Sequence, residues 1–189
     1  ARTPLRPSAE AVHVIQDRIR QKTWLAANGF PVGSFRAVAS RDESVAAFEQ
    51  LGRCIFKSTS GGYDGRGQIR VNSVDAAADA WKSLGERPCL VEQLLDIASE
   101  ISMLVARRPA GSGANDGTRH VTFPPSFNYH DHGILDWSVL PASVAPANVR
   151  QADEVANGIA TTLGIEGLIA VEMFIQQDGA MCYILLKTG

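Results

Sequence analysis

Residues 54–73, CIFKSTSGGYDGRGQIRVNS, constrain this chain more than any other stretch. An alternating run from Cys54 to Ser58 enters a loop with glycines at 61, 62, 65 and 67, and a second alternating run from Gln68 to Asn72 leaves it. Period-two alternation on both sides of a glycine-rich connection predicts a β-hairpin. Glycine backbone takes positive φ and approaches a ligand closely, so the loop can turn its N–H groups toward an anion such as a triphosphate. Lys57 and Arg66 place positive charge at its two ends. This is not a Walker A loop, because no Gly-Lys followed by Ser or Thr occurs and no helix opens directly after the glycines. A long hairpin turn needs the same glycines, but the lysine and the flanking strands together favour a phosphate cradle.

Around this hairpin the chain alternates helices and strands. Helix is predicted from about Ala9 to Asn28, with Val12, Ile15, Ile19 and Leu25 apolar and Gly29 as its stop. A short strand follows near Phe35 to Ala39, then a helix from Asp42 to Leu51 capped by Ser40. After the hairpin, Ser73 or Asp75 opens an alanine-rich helix to about Leu84, and Cys89 to Glu92 reads as a strand. These elements suit a small α+β lobe over residues 1–92, with a second lobe over residues 93–189. In the second lobe strands are predicted at Glu100 to Arg107, His120 to Phe123 and Gly133 to Val139, the last two flanking a polar stretch with His130 and His132. Residues 109–117, small and glycine-rich, read as a hairpin tip. A helix at Ala147 to Leu163, strands at Gly167 to Phe174 and Ala180 to Leu186, and a turn at Gln176 to Gly179 complete the chain.

Composition narrows the partners. A net charge of −2 gives no electrostatic reason to expect nucleic acid or an anionic membrane. No apolar run approaches the roughly 20 residues of a spanning helix, and no leader pattern opens the chain. The three cysteines are far apart with no CxxC, which fits a reduced, cytoplasmic protein with small buried thiols.

The hairpin resembles the glycine loop of the ATP-grasp enzymes, and GGYDGRGQ is similar to that of the N5-carboxyaminoimidazole ribonucleotide synthase family. Further matches are QDR at 16–18, VEQ at 91–93, SEIS at 99–102, the H-x-x-GIL spacing from His130 and AVEMF at 170–174. The resemblance implies an α+β ATP-grasp fold, two lobes clasping ATP. It also implies ATP-dependent carboxylation of aminoimidazole ribonucleotide in purine biosynthesis: ATP phosphorylates bicarbonate, and the carboxyphosphate, or CO₂ released from it, is captured by the amine. Another ATP-grasp carboxylase or ligase, and a nucleotide-binding relic without catalysis, remain as alternatives. The expected partners are small molecules, with a homodimer left open.

Residue roles follow the same resemblance. Arg18, Lys57 and the loop residues Gly62, Tyr63, Asp64, Gly65, Arg66, Gly67 and Gln68 are implied to hold the ATP phosphates, with Tyr63 and Asp64 facing the substrate as the catalytic pair. The stretch Glu92, Gln93, Leu94, Leu95 is implied to line the adenine pocket, Glu100 to accept from the ribose hydroxyls, and His130 to join the nucleotide site. Read without the family, Glu92 and Glu100 are solvated strand-end carboxylates and Arg18 is a helix-surface charge. His130 and His132 alternate along the chain and do not share one ion, because neighbouring faces of an extended segment diverge.

Glu172 is the sharpest acid, since an ionised carboxylate inside GLIAVEMF must find a cation or donors. The resemblance implies that it holds Mg²⁺ against the β- and γ-phosphates. The family's second metal carboxylate belongs to an Asn-Glu pair on the next strand, followed by a substrate-binding arginine segment. Alignment through Gly179 sets Tyr183 and Ile184 on that pair, so the second lobe is expected to be truncated and the isolated chain to bind ATP weakly and form no product.

Overall fold

The computed structural model describes residues 6–59, 67–108 and 119–188. Two helices open it: α1 (Ala9–Ile15), capped by the Ser8 hydroxyl, and α2 (Arg18–Ala27). The single helix expected from Ala9 to Asn28 is therefore broken. Asp17 leaves helical geometry (φ −124°, ψ 124°), and its carboxylate accepts from the Arg20 amide at 2.9 Å, capping a new helix. The break lets α2 take its own direction, with Arg18 in its first turn.

A smaller sheet follows from β1 (Phe35–Val38), β2 (Cys54–Ser58), β3 (Gln68–Val71) and β4 (Cys89–Gln93), all antiparallel, in spatial order β1-β4-β2-β3. Helices α3 (Arg41–Leu51) and α4 (Val74–Ser83) are capped by Ser40 and Ser73, as the sequence predicts. Alternation sorts this sheet's side chains. Cys54, Phe56, Val71, Cys89 and Val91 point into a core with Ala47, Ala77, Ala80 and Trp81 from the helices. Ile55, Lys57, Gln68, Arg70, Leu90 and Glu92 consequently face the other way.

The larger sheet holds β5 (Ile97–Arg108), β6 (Arg119–Thr122), β7 (Ser126–Asp131), β8 (Ile134–Val139), β9 (Gly167–Gln176) and β10 (Met181–Thr188). Its order is β10-β9-β5-β7-β8, with β6 also paired to β5. The polar stretch expected around His130 is itself a strand. On β7, Phe127 and Tyr129 flank Trp137 of β8, and a two-residue turn with His132 at φ 49° and Gly133 at φ 81° joins the two. Helix α5 (Pro146–Thr162) buries Ala152, Ala156, Ile159 and Ala160 on one stripe. That stripe meets Ile101, Met103 and Val105 of β5 and Ile169, Val171 and Met173 of β9. Ala11 of α1 and Leu25 of α2 belong to the same core. The first two helices thus pack on the larger sheet, and the division between the two sheets falls between Gln93 and Ile97.

Candidate functional site

A cleft of about 1010 Å³ lies between the sheets. Its smaller-sheet wall is the outward face already described, with Ile55, Lys57, Gln68, Arg70, Leu90 and Glu92. Because Ile55 pairs with Glu92 and Lys57 with Leu90, Lys57 and Glu92 are diagonal neighbours on one face. Lys57 Nζ lies 2.5 Å from Glu92 Oε2, and Lys22 Nζ, from α2, lies 2.7 Å from Glu92 Oε1. Burial alone pushes the Glu92 carboxyl up, but the two ammonium groups overcome it and hold the group at about 2. Glu92 is therefore ionised and buried, not the solvated strand-end acid of the bland reading.

Arg18 grips the entrance to the glycine loop. Its backbone N–H donates to Thr59 O at 2.9 Å and its Nη1 donates to Ser58 O at 2.8 Å. Burial lowers its pKa, while Glu92 and Asp17 act in the opposite sense. The neck of the loop is closed by Ser58 N–H donating to Gly67 O at 2.9 Å, with Gly67 at φ 73°. Gly62, Tyr63, Asp64, Gly65 and Arg66 lie outside the described residues. Gln68, Gln93, Leu94 and Leu95 all line the cleft, as does Arg18.

The opposite wall is the polar face of the larger sheet. Glu100 and Glu172 both line the cleft, and His130 Nδ1 stands 3.2 Å from Glu100 Oε2, close but not aligned for a hydrogen bond. Burial and then the nearby Glu172 charge raise the Glu100 carboxyl, against Lys187 and Lys57, to about 7. Glu172 is itself held by Lys187, whose Nζ is 2.5 Å from Oε1. His132 lies at the rim of the cleft, its ring exposed and paired at 2.8 Å with Asp131.

A divalent cation fits this wall in part. Glu172 and Glu100 both offer carboxylate oxygens, and the charge of Glu172 disfavours ionisation of Glu100, an arrangement a hard cation relieves. Among the described residues no group of three His, Cys, Asp or Glu converges, so phosphate oxygens and water would have to complete the shell. Lys187 supplies the compensating charge in this structure. On β10 the backbone residue opposite Glu172 is Leu185, following an irregularity between Tyr183 and Leu185.

Three residues central to this site are not visible as such in the sequence. Lys22 follows Arg18 by one helical turn, which is a signal, but only the fold brings it to Glu92. Lys187 meets Glu172 through strand register alone, and Gln21 reaches the cleft beside Lys22.

Two antiparallel sheets facing each other across a cleft with a cationic and an acidic wall define a nucleotide-clasping α+β protein. The chain belongs to the ATP-grasp family: an ATP-grasp domain matches residues 23–184. It is 34% identical to a bifunctional purine synthesis protein of Dictyostelium discoideum, over 91% of this chain and 17% of that protein. It is 32% identical to N5-carboxyaminoimidazole ribonucleotide synthase of Escherichia coli, over 96% of this chain and 49% of the relative. Its fold superposes with a TM-score of 0.81 on N5-carboxyaminoimidazole synthase of Aspergillus clavatus in complex with ADP and 5-aminoimidazole ribonucleotide. That match has 25% identity and covers 96% of this chain and 46% of the other. The chain spans at most about half the length of these relatives.

Proposed function

We propose that the cleft holds ATP and that the protein to which this chain belongs is an N5-carboxyaminoimidazole ribonucleotide synthase. The observation that carries this reading is the pairing of Lys57 with Glu92 at the neck of the glycine loop, facing Glu100 and Glu172 across the cleft. A cationic wall suits phosphates, and an acidic wall suits ribose hydroxyls and a divalent cation. The smaller sheet with α3 and α4 forms one lobe, the larger sheet with α1, α2 and α5 forms the other, and the two close on the nucleotide. Lys57 and Arg18, with the loop residues 62–68, hold the phosphates. Residues 92–95 border the base, Glu100 takes the ribose, and His130 joins the nucleotide site beside Glu100. Tyr63 and Asp64 face the acceptor.

In this reading a bicarbonate oxygen attacks the γ-phosphorus and ADP leaves. The amine nitrogen of aminoimidazole ribonucleotide then attacks the carboxyl carbon, phosphate leaves, and the nitrogen loses a proton. Mg²⁺, held by Glu172, would neutralise charge on the β- and γ-phosphates. The chain's own residues position the reactants, which is where most of the acceleration in such a transfer arises. Three buried free thiols support a reducing compartment such as the cytoplasm.

One observation favours a second reading, nucleotide binding without turnover. Lys187 already neutralises Glu172, and Leu185 stands opposite it on β10. The test is an assay with ATP, Mg²⁺, bicarbonate and aminoimidazole ribonucleotide, following ADP and the carboxylated product. The full enzyme is expected to form both in equal amounts, and the isolated chain to bind ATP weakly and form neither. ADP release that ignores aminoimidazole ribonucleotide would move the reading to another ATP-grasp ligase. Absence of both products from the full enzyme would leave only the binding role.

A further inference from the structure

Lys22 is almost fully buried, at 3% exposure, which is costly for an ammonium unless an anion repays it. Its anion is Glu92, yet Glu92 already has a cation in Lys57. The carboxylate spreads its two oxygens between the two lysines, Oε1 to Lys22 at 2.7 Å and Oε2 to Lys57 at 2.5 Å. All three side chains are buried or nearly so, and all three line the cleft. A Lys57–Glu92 pair alone would present no net charge to a ligand. Among the described residues, two ammonium groups on one carboxylate leave one positive charge in excess, on the wall where Arg18 grips the loop entrance.

We propose that Lys22 is a positioning residue for anion binding. It neutralises Glu92 from behind, so that the Lys57 ammonium is held in place by the carboxylate without being cancelled by it. The ligand is the phosphate chain of a nucleotide, and the inference rests on the reading of the cleft as an ATP site. Helix geometry supports the assignment: Arg18 and Lys22 are four residues apart on α2, so both project from one face toward the end of β2. A long apolar side chain would fill the same space at lower desolvation cost, so the charge itself is what the position requires.

The test compares the affinities of Lys22→Met, Lys22→Gln and Lys22→Arg variants for ATP and for adenosine, which lacks phosphates. Removal of the charge in Lys22→Met should weaken ATP about tenfold while adenosine binding stays unchanged, and Lys22→Arg should recover wild-type ATP affinity to within about threefold. If Lys22→Met does not fold, Lys22→Gln, which keeps a donor to Glu92 and loses only the charge, is read in its place with the same expectation. Parallel loss of ATP and adenosine affinity would show a merely structural role and overturn the proposal, as would unchanged ATP affinity in the uncharged variants. A wild-type protein that binds adenosine and ATP equally would overturn both this inference and the site reading, whereas a wild type that prefers ATP with variants that do so equally would overturn the inference alone.

Discussion

Glu100 on β5 and Glu172 on β9 are diagonal neighbours on one face of the larger sheet, because the register sets Ser102 opposite Glu172 and Glu100 opposite Phe174. Two carboxylates so placed cannot both ionise cheaply, and burial of Glu100 makes it the one that holds its proton, up to about pH 7.

A stability profile follows from that shift. The folded pKa of Glu100, about 7, lies above its ordinary 4.5, so between those values the native state binds more protons than the unfolded one and stability falls as pH rises. His130, Lys187, Lys57 and Glu172 surround the group and set the size of the effect. Glu100→Gln should therefore be nearly neutral at pH 5 and stabilising by about 1–3 kcal/mol at pH 8. Urea denaturation of both proteins at the two pH values measures this, and a difference independent of pH would contradict it.

Gln21 does for β10 what a neighbouring strand would do. Its Oε1 accepts from Leu186 N–H at 3.1 Å, and its Nε2 donates to Leu186 O at 3.2 Å and to Ile15 O at 3.0 Å. Gln21→Leu strips both backbone groups of Leu186 of their partner in a buried setting, which should cost about 2 kcal/mol or more. Denaturant midpoints and faster exchange of the Leu186 amide report it. An unchanged midpoint would mean that water replaces the side chain.

If Glu172 holds the divalent cation as proposed, Lys187 competes with it for the carboxylate. Its side chain is 58% exposed while that of Glu172 is 15% exposed, so the lysine can withdraw into solvent more easily than the acid can. Lys187→Met should leave Glu172 without its counter-charge and tighten Mn²⁺ in the presence of ATP by about three- to tenfold. Electron paramagnetic resonance of free Mn²⁺ gives the affinity. No change would remove Glu172 from the metal site.

Local chemistry explains what the sequence made legible. Ser40 and Ser73 announce α3 and α4 because a hydroxyl at the N-cap satisfies an otherwise free amide. Alternation around the glycines announced the β2–β3 hairpin, and the observed pairing runs from Cys54 opposite Val71 to Lys57 opposite Gln68. Asp17 carried a cap signal too, but the apolar spacing of Val12, Ile15 and Ile19 runs straight across it and hides the break. Around His130 the polar residues masked a strand whose apolar positions, Phe127 and Tyr129, are satisfied by Trp137 across the hairpin.

Of the residues lining the cleft, Lys57 and Gln68 were legible because they flank the glycine run, whereas residues 92–95 were marked out only by the family resemblance. The site was illegible where charges meet from distant elements. Lys22 and Lys187 read as ordinary surface lysines because nothing local tells which carboxylate they face. Only register and helix placement bring them to Glu92 and Glu172.

The most direct measurement of the account is the ATP affinity of Lys57→Ala relative to wild type, by calorimetry or, for millimolar binding, by saturation-transfer NMR. Removal of Lys57 deletes a charge-assisted phosphate contact worth roughly 1.5–3 kcal/mol and leaves Lys22 and Glu92 as a neutral pair. ATP should bind about ten- to a hundredfold more weakly, with the fold retained and the melting temperature lowered because Glu92 loses one of its two buried counter-charges. Equal affinity in the two proteins would contradict it and take the phosphates out of this cleft.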